Sequence, residues 1–142
     1  MEQILDFVAN HPILFAALGA VLALIVWTEL QRVGRGYGEL SPSEAVQLMN
    51  HRDDALVLDV REDNEVRQGR IQKSKHIPVG VLPKRVEELR KYKDKPVIAY
   101  CRSGQRSASA CNTLVKNEFS EVYNLKGGLN AWEQENLPVS RK

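Results

Sequence analysis

From Phe7 to Thr28 the chain carries no formal charge, and Glu2, Asp6 and His11 are the only ionisable side chains before Glu29. These twenty-two residues, wound as a helix, would reach about 33 Å against a hydrocarbon core about 30 Å thick. The strictly apolar part, Ile13 to Trp27, is shorter. Asn10, His11 and Pro12 are therefore expected at headgroup level, with Asn10 capping the helix, Pro12 in its first turn and Trp27 at the opposite interface. A cleaved signal peptide would place Lys or Arg before the apolar run and small residues at its end. Here the start is acidic and the end reads Val26-Trp27-Thr28-Glu29. A buried helix of a globular domain would interleave polar positions, and this stretch has none. Arg32 and Arg35 follow the run and no basic residue precedes it. The positive-inside rule then predicts one span with the N-terminus outside and the remainder in the cytoplasm, where Cys101 and Cys111 stay reduced thiols.

The full length of 142 residues accommodates one compact domain plus a small appendage. Residues 1–30 form the tail and span, 31–38 with three glycines a flexible connector, and 39–142 the folded domain. Twenty Lys and Arg against eighteen Asp and Glu give a formal charge of +2, far from the basic excess of a nucleic-acid binder. Two cysteines are too few for a disulfide scaffold or a four-ligand zinc site, and His11, His51 and His76 show no ligand spacing.

Within the domain, Ser41-Pro42-Ser43-Glu44 is a capping box with Pro at the first helical position, opening a helix through Ala45, Val46, Leu48 and Met49. Ala55 to Val60 and Pro96 to Tyr100 are apolar runs that suit strands buried on both faces, and Val122 to Leu125 is a third. Helices are predicted over Val81 to Tyr92, over Gln105 to Asn117 and after Gly127-Gly128. Strands alternating with helices imply an α/β fold: a mostly parallel sheet covered on both faces, with reactive loops at the carboxyl ends of its strands.

The chemistry is expected at Cys101-Arg102-Ser103-Gly104-Gln105-Arg106-Ser107. A loop curled between a strand end and a helix N-terminus aims backbone N–H groups at one point, where the helix dipole adds positive charge. A cysteine at the base of such an anion cradle has its thiolate stabilised and its pKa held below the free value of about 8.5. Arg102 and Arg106 add charge at the rim, and Gly104 permits close approach of the backbone. The plainer alternative is a structural cysteine flanked by solvated arginines. Cys111 falls on the apolar stripe of the next helix and reads as core packing.

At these residues the chain resembles the single-domain rhodaneses, a sulfurtransferase family, from about Leu40 to Leu137. The resemblance lies in Asp59-Val60-Arg61-Glu62, Glu65 to Ile71, Ile77-Pro78, the loop Cys101 to Ser107, and Leu125-Lys126-Gly127-Gly128-Leu129-Asn130-Ala131-Trp132. Arg70 departs from a His common in the family. A membrane span before such a domain resembles the membrane-anchored rhodaneses of bacteria and implies a single-pass protein of the bacterial inner membrane. The resemblance further implies that Cys101 accepts sulfur and that Arg102, Ser103, Gly104, Gln105 and Arg106 surround the substrate. Asp59 and Arg61 would brace the fold near that loop, or form an ordinary ion pair. Gly127-Gly128 and Trp132 read as a tight turn and a core aromatic.

The expected reaction moves a sulfane sulfur from a small anionic donor such as thiosulfate to a thiol or cyanide acceptor through a persulfide, with no metal or organic cofactor. Two rival readings stay open. One is a membrane-anchored adaptor of the same fold that docks a protein partner. The other is phosphatase or arsenate chemistry, for which a similar loop holds one more residue between Cys and Arg than the five-position step from Cys101 to Arg106.

Overall fold

The computed structural model describes residues 1–141, apart from the side chain of Arg32. Lys142, the last residue of the expected domain, and the Arg32 side chain used for orientation lie outside the described residues. The chain divides into two units, residues 1–35 and residues from Gly36 onward.

The first unit is two helices, α1 (Glu2–Asn10) and α2 (Pro12–Val33). Asn10 ends α1 instead of capping α2, because Pro12 disfavours helical backbone at the residue before it. His11 accordingly adopts φ −129° and ψ 52°. The segment Pro12–Gln31 has a mean hydropathy of 2.3 and none of it is buried, so it is one helix long and apolar enough to cross a membrane.

The second unit is a five-stranded parallel sheet in the order β1-β5-β4-β2-β3. The strands are β1 (Gly38–Leu40), β2 (Leu56–Asp59), β3 (Lys75–His76), β4 (Pro96–Tyr100) and β5 (Glu121–Leu125). Between them lie α3 (Pro42–His51), α4 (Asp63–Gln68), α5 (Leu82–Arg85), a 3₁₀ turn (Val86–Tyr92) and α6 (Gln105–Lys116), with α7 (Gly128–Gln134) last. Every residue of β2 and β4 is buried, as continuous apolar runs in a doubly covered sheet require.

Alternation along the strands divides the core in two. Leu56, Leu58, Val60, Val97, Ala99 and Cys101 face one cluster with Leu89 and with Ala110, Cys111 and Leu114 of α6. Val57, Ile98 and Tyr100 face the other, with Ala45 of α3 and Trp132 of α7. Cys111 and Trp132 thus serve as core residues.

Besides Asn10, and α4, where no helix was expected, three local outcomes differ from the sequence reading. The helix expected over Val81 to Tyr92 breaks into α5 and the 3₁₀ turn. Val86, Leu89 and Tyr92 recur every three residues, which is the period of a 3₁₀ helix, so this winding keeps them on the core side. The connector expected over 31–38 is structured at both ends: α2 runs to Val33, and Gly38 begins β1. At Gly38 the backbone lies so close to Tyr123 that a Cβ would meet its ring at 3.0 Å. The third difference is β3, two polar residues at the sheet edge that carry no apolar signal.

Beneath the carboxyl ends of the strands lies a closed polar network. Arg61 and Asp59 are 1% and 0% exposed and pair at 2.7 Å (Nη2 to Oδ2). The guanidinium also donates to the Gly69 carbonyl at 2.7 Å. The Tyr100 hydroxyl donates to Asp59 Oδ2 at 2.6 Å and accepts from the Ile71 N–H at 3.0 Å. No buried side-chain polar atom lacks a partner among the described residues, so these charges are compensated as burial demands. His76 joins the rim of the network, its Nε2 at 2.6 Å from the Arg61 carbonyl and its Nδ1 at 3.6 Å from Asp63 Oδ1.

Candidate active site

β4 ends at Tyr100, and the next residue, Cys101, continues its alternation onto the face packed by α6. The turn Arg102 to Gly104 then reverses the chain into α6. It does so with Gly104 at φ +100°, in the left-handed region where a side chain is strained. Cys101 Sγ accepts the Gly104 N–H at 3.1 Å and lies 3.4 Å from Ser107 Oγ. Burial pushes the Cys101 thiol up. The polar Ser107 side chain beside the sulfur and the N–H groups of Ser107, Gly104 and Ser103 more than offset this, leaving its pKa below the ordinary thiol value. Cys111, buried and near the charge of Cys101, is pushed up to about 12. The two thiols are both free and opposite in character.

The loop is held from behind by α7. The Leu129 and Asn130 N–H groups donate to the carbonyls of Cys101 and Arg102 at 2.8 and 3.1 Å. In a planar trans peptide the N–H points away from the C=O. Tying these two carbonyls to α7 therefore turns the N–H groups of Arg102 and Ser103 to the opposite side, where that of Ser103 serves the Cys101 sulfur. Gly128 makes this contact feasible: at φ +57°, a Cβ there would overlap the Cys101 carbonyl oxygen and lie 2.7 Å from the carbonyl of Arg102. The Gly127-Gly128 turn expected from the sequence is present, and it also abuts the loop.

The structure brings Arg102, Ser103, Gly104, Gln105 and Arg106 together around Cys101. Arg102, Ser103 and Gln105 are exposed, whereas Cys101 itself is only 1% exposed at the floor of the loop. Arg106 differs from the sequence expectation of a free rim charge. It forks onto Glu65 of α4, with Nη1 to Oε2 and Nη2 to Oε1 both at 2.7 Å. Arg106 holds the Glu65 carboxyl down to about 2.

Asn124 was not singled out from sequence, and Ser107, the last residue of the expected segment, was given no role of its own. Ser107 is buried and its hydroxyl lies 2.6 Å from Asn124 Oδ1, while Asn124 Nδ2 donates to the Gly104 carbonyl at 3.0 Å. The available signal was Asn124 itself, a polar residue inside the otherwise apolar end of β5. Among the described residues no cluster of His, Cys, Asp and Glu is arranged to hold a metal ion. The arrangement can stabilise a thiolate, and it can hold negative charge developing on an atom bound to that sulfur.

The family model for the rhodanese-like domain matches residues 41–135. The chain is 37% identical over 142 residues to the "Uncharacterized protein YibN" of Escherichia coli strain K12, covering 99% of each chain. It is 36% identical over 101 residues to a protein named "Sulfurtransferase" of Allochromatium vinosum, covering 71% of this chain and 92% of that one. Among solved structures it resembles the "Polysulfide-sulfur Transferase Homodimer" of Wolinella succinogenes. That match has a TM-score of 0.65 and 27% identity, and covers 87% of this chain and 92% of the other.

Proposed function

Because this chain belongs to the rhodanese-like domain family, we propose that it is a membrane-tethered sulfurtransferase that carries sulfane sulfur as a persulfide on Cys101. The observation that carries this reading is the Cys101 sulfur, which accepts the Gly104 N–H, lies 3.4 Å from Ser107 Oγ and is lowered in pKa despite its burial. A thiolate is the form that attacks sulfur.

In the first half-reaction the Cys101 thiolate attacks the outer sulfur of a donor such as thiosulfate. A bond forms between the two sulfurs, the donor's S–S bond breaks with its electron pair, and sulfite departs. Arg102 to Arg106 surround the incoming group, and the loop N–H groups meet the negative charge of the persulfide left behind. In the second half-reaction a thiol or cyanide takes the terminal sulfur, and Cys101 leaves as the thiolate that began the cycle. With Cys101 at the floor of the loop, a donor must present its sulfur end-on.

The tether is α2. Its unburied apolar surface across Pro12–Gln31 favours lipid. The basic residues Arg32 and Arg35, which follow the apolar segment, favour an N-terminus outside and a catalytic domain in the cytoplasm of a bacterial cell.

Incubating the full chain in detergent with thiosulfate is expected to add the mass of one sulfur to the peptide containing Cys101, removable by cyanide. No sulfur on Cys101 with any sulfane donor would favour the adaptor reading. Release of phosphate from an aryl phosphate would favour the phosphatase reading.

A further inference from the structure

Arg106 is positioned as the natural cation for an anionic substrate, but it is already committed. Its two terminal nitrogens fork onto Glu65 at 2.7 Å each, the geometry of a strong charge-assisted pair. Glu65 is itself fixed: its Oε2 accepts the Glu62 N–H at 3.0 Å, and its carbonyl lies 3.5 Å from Arg61 Nη1 of the buried network. The pair therefore stands beside the loop as a neutral unit, with Arg106 near enough to feel the charge of Cys101. Arg102, exposed at the surface, is the remaining loop cation. Main-chain N–H dipoles at the sulfur suit one negative charge placed on them. A second negative charge, farther from the sulfur, meets the field of Arg106 already cancelled by Glu65.

We propose that Glu65 sets the charge class of the donor. By neutralising Arg106 it disfavours doubly charged donors such as thiosulfate relative to singly charged persulfides of small neutral thiols. This rests on the sulfur-transfer reading above and adds a preference to it. For the preferred class, the Cys101 thiolate attacks the terminal sulfur of the small persulfide. The S–S bond breaks with its electron pair on the inner sulfur, the small thiolate leaves, and the terminal sulfur remains on Cys101. No outside oxidant or reductant is needed.

The test is a charge series in the full chain, read as the rate of sulfur loading onto Cys101 at limiting donor. The two donors are thiosulfate and the persulfide of 2-mercaptoethanol. Glu65→Gln leaves a carbonyl for Arg106 and the helix cap but uncovers one positive charge, Arg106→Gln uncovers one negative charge, and the double variant restores neutrality. The ratio of thiosulfate rate to persulfide rate is expected to rise about fivefold in Glu65→Gln and to fall by a similar factor in Arg106→Gln. In the double variant it should return to near the wild-type ratio, and added salt should compress the whole series. A purely structural role for the pair would slow both donors together and leave the ratio at its wild-type value in all three variants. If both donors load Cys101 but the ratio does not follow charge, this proposal fails while sulfur transfer stands. If neither donor loads Cys101 in the wild type, the underlying reading fails first.

Discussion

Cys101→Ala is expected to abolish thiosulfate-dependent sulfur transfer, a loss of at least about a thousandfold, while Cys111→Ala largely spares it. The contrast follows from two thiols in one core cluster placed in different surroundings. Cys101 Sγ receives the Gly104 N–H and lies against Ser107 Oγ. Cys111 Sγ, fully buried, has among the described residues only the Tyr123 carbonyl at 3.5 Å, an acceptor that a thiolate cannot use. Burial with such hydrogen bonds keeps a thiolate accessible, and burial without them suppresses it. Cyanide-dependent turnover of each variant checks this, and equal losses in the two would refute the assignment.

Asp59→Ala is expected to cost about 3–5 kcal/mol, because it leaves the Arg61 guanidinium buried without its counter-charge. A domain stabilised by about 5–15 kcal/mol has little margin for that. The damage would extend beyond one pair. The Tyr100 hydroxyl would lose its acceptor at 2.6 Å, and Tyr100 is the residue immediately before Cys101. Urea unfolding of the full chain in detergent, followed through tryptophan fluorescence, measures the loss. Asp59→Asn keeps a hydrogen-bonding group there and removes the charge, so it separates the two contributions. A midpoint unchanged by Asp59→Ala would contradict the bracing role of this network.

Much of this arrangement was readable where one residue type serves one local purpose. Ser41 and Glu44 form the reciprocal cap their spacing implies, at 3.3 and 2.7 Å. The apolar runs of β2 and β4 are buried throughout, and the step from Tyr100 through Cys101 to Gln105 is a strand, a turn and a helix. What escaped were relations between distant segments. Nothing near Arg106 in sequence reveals that Glu65, forty-one positions earlier, cancels its charge. Ser107 and Asn124 meet only because β5 lies beside β4, and Gly128 reads as a turn residue until α7 is seen to press on the loop. Short elements also hid: Gly38–Leu40 looked like connector, and Lys75–His76 has no apolar pattern.

Sulfur transfer at Cys101 requires that its thiol be ionised by the hydrogens that converge on it. The direct test is its rate of reaction with iodoacetamide across pH, followed at the Cys101 peptide in the full chain, with Cys111 as the internal control. Reaction at Cys101 should climb to its plateau with a midpoint below the ordinary thiol value of about 8.5, and Cys111 should stay unmodified. A midpoint at or above that value, or equal modification of both thiols, would contradict it.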